Sequence, residues 1–251
     1  MSINWKKSIF AVCDIIIAAY LLLAVTAFNK PEAEPSYCTE VKIDITQNQM
    51  EGFMTAGEIK KILLQSHLYP LSQPMSGINP RQIEEALQKS PFVEKAECFK
   101  TQGGYVCINI KQRFPVVRVM ADNGENYYID THGNMMPESD YVTDLVIATG
   151  TINRKYARTR LVEVANYIQQ NKFWKNQIVQ INVMRDGTME IVPRVGDHIV
   201  YLGAPRDVDK KLERLRKFYL YGLNKAGWGK YSYINIEFNN QIICKRSKRI
   251  K

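Results

Sequence analysis

Residues 9–28, IFAVCDIIIAAYLLLAVTAF, form a twenty-residue apolar run interrupted by one charge, Asp14. As a helix rising about 1.5 Å per residue, the run is about 30 Å long, the thickness of a bilayer's hydrocarbon core. Lys6 and Lys7 precede it, and Trp5 stands where an interfacial aromatic belongs. Positive charge on this side predicts a single-pass inner-membrane helix, with residues 1–8 cytoplasmic and everything after Phe28 outside. Asp14 costs about 2.5–3.5 kcal/mol at mid-bilayer on insertion scales, but it sits toward the cytoplasmic end and the apolar run that follows outweighs it. The same run contains a signal-peptide pattern, with an apolar region at 15–25 and Val25-Thr26-Ala27 as a cleavage site. The full membrane length of the run favours a retained anchor.

With 45% hydrophobic and 24% charged residues, the remainder can build ordinary globular cores. The net charge of +9 is concentrated at the end, where Lys245, Arg246, Lys248, Arg249 and Lys251 occur with no acid. Across residues 206–217 the bases alternate with Asp207, Asp209 and Glu213, the pattern of a solvated helix face. No Gly-rich phosphate loop, basic-aromatic stripe or nucleic-acid module accompanies this charge, which argues against nucleic acid as a partner. Cys13 lies in the apolar run, leaving Cys38, Cys98, Cys107 and Cys244 outside it. Four cysteines in an oxidising compartment allow three pairings. Cys98 and Cys107 flank a hairpin, yet if Cys98 faces the core with Val106, Ile108 and Ile110, Cys107 points away and the two do not bond. Free thiols are the other reading.

Pro31 and Pro35 mark residues 29–37 as an extended linker. Val41, Ile43 and Ile45 alternate with Lys42 and Asp44, predicting a half-buried strand. Thr55-Ala56-Gly57-Glu58 is a capping box that starts a helix. Asn79-Pro80 opens a second helix with Ile83, Ala86 and Leu87 on its buried face, ended by Ser90-Pro91. Strands at 93–100 and 105–113 flank a turn at Gly103-Gly104. The order is β-α-α-β-β. Farther on, a helix at 159–173 carries Leu161, Ala165 and Ile168 on one face. Strands follow at 178–183, 188–192 and 199–202, with Asp186-Gly187 turning between the first two. A closing hairpin runs over 231–238 and 241–246 through Asn239-Asn240.

In order and spacing these elements resemble the FtsQ/DivIB family of bacterial cell-division proteins. Pro91-Phe92-Val93 is similar to the family's Pro-aromatic-Val after the second POTRA helix. Arg113-Phe114-Pro115-Val116 is similar to its basic-x-Pro-Val step. Tyr127-Tyr128-Ile129-Asp130-Thr131-His132-Gly133 resembles its Tyr-x-Val/Ile-Asp-x-x-Gly strand and turn, and Leu202-Gly203 followed by Leu212, Leu215 and Phe218 its Leu-Gly step and amphipathic helix. The resemblance implies an α+β chain: a transmembrane helix at 9–28, a POTRA domain at 38–113, a β-rich domain with two helices at 114–246, and a basic tail at 247–251.

No catalytic constellation is marked. His67, His132 and His198 lie in separate segments without metal-ligand spacing, and Asp130 with His132 sits in a turn with no nucleophile. Glu138 and Asp140 lie in a loop beside Pro137, where acids are ordinarily just solvated. No G-x-S-x-G, H-E-x-x-H or P-loop occurs. A non-catalytic protein without cofactor, metal or small-molecule substrate is expected. The resemblance implies a divisome scaffold at the septum, whose C-terminal strand docks membrane-anchored FtsB, accompanied by FtsL. Carried over position by position, the contact residues are Phe238, Asn240, Ile242, Cys244 and Arg246; the POTRA strands at 41–45 and 105–113 are a second candidate surface, with Arg113 the one contact named there. Arg246 stands near where the family often has an aromatic. Ile242 and Cys244 share one strand face and Ile243 and Lys245 the other; core packing is the competing reading for Ile242. A POTRA factor of outer-membrane protein assembly or secretion is the alternative, weakened because the chain has one such unit and no room for a barrel. An enzyme acting on the cell wall is the third reading.

Overall fold

A computed structural model describes residues 5–28, with side chains for 12–25, and residues 36–46, 54–139 and 144–248. Residues 1–4, most of the expected linker (29–35), Asp140 and the end of the basic tail (249–251) lie outside the described residues. Helix α1 (Trp5–Phe28) takes in the apolar run, and Ile15, Ile16 and Leu21 are exposed on it. Among the described residues no helix is long and apolar enough to cross a membrane.

The first globular unit comprises β1 (Glu40–Thr46), α2 (Ala56–Gln65), α3 (Pro80–Gln88), β2 (Val93–Lys100) and β3 (Tyr105–Gln112). Local chemistry sets its helix starts. The Glu58 amide donates to Thr55 Oγ1 at 3.3 Å, and the Thr55 amide to Glu58 Oε2 at 2.7 Å, the reciprocal pair of a capping box. Asn79 Oδ1 accepts from the Arg81 amide, with Pro80 at the first helical position. β3 is central, parallel to β1 and antiparallel to β2. Ile59, Leu63, Ile83 and Leu87 cover the sheet face formed by Ala96, Cys98, Val106, Ile108 and Ile110. Cys98 is opposite Ile108 and Phe99 opposite Cys107, so the two thiols project from different faces and are not bonded. All five cysteines are free.

The second unit is a nine-stranded mixed sheet. Its first part is β4 (Pro115–Ala121), β5 (Asn126–Asp130), β6 (Met135–Pro137) and β7 (Val146–Gly150). A helical crossover follows: α4 (Arg154–Tyr156), a π-helical turn at Ala157–Leu161, α5 (Val162–Gln170) and α6 (Lys172–Gln177). Then come β8 (Ile178–Val183), β9 (Met189–Pro193) and β10 (Ile199–Gly203). The second crossover is α7 (Val208–Lys217), a π-helical turn at Phe218–Leu223 and α8 (Asn224–Ala226), leading to β11 (Tyr231–Asn235) and β12 (Ile243–Arg246). The strand order is β12-β11-β10-β9-β8-β7-β4-β5-β6. The first crossover makes β8 parallel to β7, and the second makes β11 parallel to β10. Both put their helices on one face, where Leu161, Ala165, Ile168, Leu212 and Leu215 meet Val117, Val119, Ile181, Ile191 and Val200.

The first crossover departs from the expected helix at 159–173. It begins at Asn153, whose Oδ1 accepts from the Tyr156 amide at 2.8 Å. It breaks at Asn171, extended in backbone, whose side chain caps α6 instead. The polar segment Arg154–Arg160 has no apolar period to announce a helix, whereas Leu161, Ala165 and Ile168 are fully buried as their spacing predicts.

Candidate partner-binding edge

Among the described residues four strands end a sheet: β1 and β2 in the small sheet, β6 and β12 in the large one. An end strand leaves one row of backbone amides and carbonyls without a ladder partner. Three of these edges are short, partly capped or far from the expected site. β6 has three residues and ends on Pro137, which has no N–H to give. On β2 the Cys98 amide, which belongs to the outer edge, already donates to Glu84 Oε1 of α3 at 2.7 Å. β1 runs over seven residues and ends the other sheet, in the first unit, which does not carry the expected site. β12 holds most of the residues singled out in the sequence.

Among the described residues β12 pairs with β11 alone, antiparallel, with Asn235 opposite Ile243, Ile234 opposite Cys244 and Tyr233 opposite Lys245; a bulge follows before Tyr231 meets Arg246. Ile242 and Cys244 pack on the core, while Ile243 is half exposed on the other side. Burial pushes the Cys244 thiol's pKa up. The hairpin turns through Asn240 at φ 62°, a left-handed conformation that asparagine tolerates. Phe238 stands before the turn, 46% exposed. Arg246 lines, with Lys230, Ser247 and the glycines 227 and 229, an open groove of about 950 Å³ at the strand's end.

What holds β11, and so β12, in place comes from α7. Lys211 is buried, and its Nζ donates to the carbonyls of Leu202 at 3.0 Å and Ala204 at 2.8 Å. Burial lowers its pKa, against the pull of Glu237. Arg214 donates to the Ile236 carbonyl at 2.6 Å. These two cations tie the ends of β10 and β11 to one helix, so the mixed charges of 206–217 are a solvated face only in part. Gly203, at φ 71°, lies where an added Cβ would run into the Glu237 side chain. Behind the hairpin sits an aromatic cluster: Tyr219 lies 5.1 Å from Trp228 and 5.5 Å from His198, ring centre to ring centre. His198 Nε2 is 2.8 Å from the Tyr219 hydroxyl, and burial lowers the imidazole's pKa.

Arg113 lies elsewhere. It joins the two units: its guanidinium donates to Asp130 Oδ2 at 2.6 Å and to the Val93 carbonyl at 3.2 Å, and it is mostly buried. Asp130 also accepts from the backbone amides of His132 and Asn134 and from the Asn134 side chain, and so builds the turn that contains Gly133. Burial alone would raise the Asp130 carboxyl. The hydrogen bonds from Asn134, Arg113 and the turn amides outweigh it and hold the pKa below the usual value. Asp130 and His132 are thus turn partners through a backbone amide. Phe92 packs both on the core of the first unit and on Tyr128, Met136 and Leu145. Three of the short motifs therefore meet at one junction, which their separate positions in the sequence did not reveal. Glu138 is engaged by Arg118 and Asn126. Among the described residues, no group of three or more His, Cys, Asp or Glu side chains is placed to hold a metal ion.

Residues 114–245 match a family model described as FtsQ/DivIB, C-terminal related, and residues 36–111 match a POTRA-like domain. The chain is thus α+β, with a POTRA-like domain and a β-rich domain, and both belong to families of non-catalytic scaffolds. No curated protein matches the chain.

Proposed function

This chain belongs to the FtsQ/DivIB family, and from that premise we propose that it is a non-catalytic scaffold of the bacterial divisome, working at the septum. Residues 9–28 anchor it in the inner membrane, with 1–8 cytoplasmic, 29–37 as linker, and the POTRA domain at 38–113 and β domain at 114–246 periplasmic. Its partners are membrane-anchored proteins of the FtsB and FtsL type, linking early to late division proteins. They dock by adding a strand beside β12, with Phe238, Asn240, Ile242, Cys244 and Arg246 at or next to the contact. Ile242 and Cys244 act through the core that supports the strand, and Ile243 supplies the exposed side chain. Arg113 acts as the residue that fixes the POTRA domain against the β domain.

The single observation that carries this reading is that β12 ends the nine-stranded order. A strand laid along it completes the ladder, so backbone bonds give affinity and alternate side chains give selectivity. The test is a photo-crosslinking amino acid placed at Ile243 of the full chain in cells, with Met135 on the opposite edge as the control. The expected result is one dominant adduct at Ile243, a small membrane protein of division, and none at Met135. No adduct at Ile243, or the same adduct at both positions, refutes docking at β12.

A further inference from the structure

An edge that accepts a foreign strand also accepts itself, because a second copy of this chain presents the same row of open amides and carbonyls. We infer that Lys245 and Arg246 are specificity-determining residues that bar a second copy of the chain from β12 and keep the edge open for a different protein. This inference rests on the docking reading above and concerns what that edge rejects.

Two copies pairing antiparallel through β12 would be related by a two-fold axis perpendicular to the sheet, which joins the helix-covered face of one to that of the other. Residues placed opposite each other must then share a face. Ile242 and Cys244 are on the core side, and Ile243 is exposed on the other, with Lys245 alternating to the same side as Ile243. That parity leaves few registers with useful overlap of a four-residue strand. One sets Cys244 against Cys244 and Ile243 against Lys245, which brings the two lysines to a diagonal separation of roughly 7–8 Å. The next sets Lys245 directly against Lys245, at roughly 5 Å. One step farther sets Arg246 against Arg246. Both side chains are exposed, and no ion pair engages either among those formed in the described residues. Lys230 and Lys248 add further positive charge at the same end. The two face-matched registers that overlap three of the strand's four residues therefore bring cations of the two copies together, within about one Debye length at physiological salt. A foreign strand without cations at these positions meets no such repulsion, and one with Asp or Glu there is attracted.

The experiment is self-association of the full chain in detergent micelles, measured by sedimentation equilibrium. It compares the wild type, the double variant Lys245→Thr/Arg246→Thr, and that variant with Ile243→Pro added. Threonine keeps strand propensity and removes the charge. Each of these like-charge contacts crosses the two-fold axis once and costs up to about 1 kcal/mol, so the double variant should dimerise up to about fivefold more tightly than the wild type. Adding Ile243→Pro should return it to the wild-type level. Raising the salt should strengthen self-association of the wild type more than that of the double variant, which keeps only Lys230 and Lys248 at this end. Unchanged self-association in the double variant overturns the inference, and so does a gain that Ile243→Pro leaves in place. The docking reading is judged separately by the Ile243 adduct in the wild type, so either can fail while the other stands.

Discussion

Replacing Asp130 with alanine removes one carboxylate that serves two structural tasks. Its Oδ2 pairs with Arg113 at 2.6 Å, and its Oδ1 accepts the His132 and Asn134 amides at 2.9 and 2.7 Å. The Asp130 side chain is 3% exposed and that of Arg113 20%, so the guanidinium left behind has little water to turn to. Breaking a buried pair from one side costs about 3–5 kcal/mol, most of it the penalty of the stranded charge. Asp130→Asn keeps an acceptor for the turn amides and loses the charge, so about 2 kcal/mol is expected. Arg113→Met leaves Asp130 with the three donors of its own turn and should also cost about 2 kcal/mol. Urea unfolding followed by the fluorescence of Trp174 and Trp228 reads these losses. With a slope of about 3 kcal/mol per molar, Asp130→Ala moves the midpoint down by about 1.3 M. Joining Arg113→Met to Asp130→Asn should cost less than the sum of the two alone, because the second change no longer strands a charge. The depressed pKa of Asp130 fixes the pH dependence. Its contribution is complete above the unfolded carboxylate value of about 3.9 and disappears as pH falls through the lower folded value. Wild type and Asp130→Ala should therefore converge in strong acid. A midpoint shift under about 0.3 M at neutral pH, or strictly additive single changes, refutes a buried pair that organises the junction.

Two further outcomes follow from buried titratable groups. His198 is held neutral by burial, so its contribution to stability is complete above the unfolded imidazole value of about 6.5 and declines as pH falls below it. The wild type should lose stability between about pH 6.5 and pH 5, and His198→Gln should flatten that slope; an equal slope in both refutes it. Burial, and after it the charge of Glu84, pushes the Cys98 thiol up to about 12, which leaves its thiolate about a thousandfold scarcer than that of a thiol at 9. Maleimide pulses at pH 8 followed by peptide mapping should label half-buried Cys107 well before Cys98 in the folded chain, and equal labelling rates exclude the packing described for β2.

What could be read from the sequence was what short stretches decide by themselves. The Thr55 and Asn79 caps, the Asp186-Gly187 turn and the alternation of β1 each rest on contacts within a few residues, and each is in place. The inward positions Leu161, Ala165 and Ile168 also held, although the helix around them starts earlier and carries a π-helical turn that no apolar period signals. The partners of Arg113 and Lys211 could not be read, because a cation's place depends on the oxygens other elements present to it. Arg113 meets a carboxylate seventeen residues away, and Lys211 enters the core because the carbonyls of Leu202 and Ala204 are waiting there.

The same division of labour explains the candidate edge. Alternation along residues 242–245 already separated a core face from an open one, and the packing of Ile242 and Cys244 agrees with it. Whether a strand has one neighbour or two is decided by where distant crossovers deliver the others. Here α7 makes β11 parallel to β10 and ties both strands through Lys211 and Arg214, so the chain reaches Asn235 with the sheet fixed on one side. The hairpin that follows adds β12 beside β11, at the end of the strand order among the described residues. The open row of β12 is therefore a consequence of the second crossover more than of the strand's own residues. In the proposed docking, those residues decide something narrower, which is the choice of strand beside it: Ile242 and Cys244 pack inward, Ile243 is half exposed, and Lys245 with Arg246 would meet the cations of a second copy.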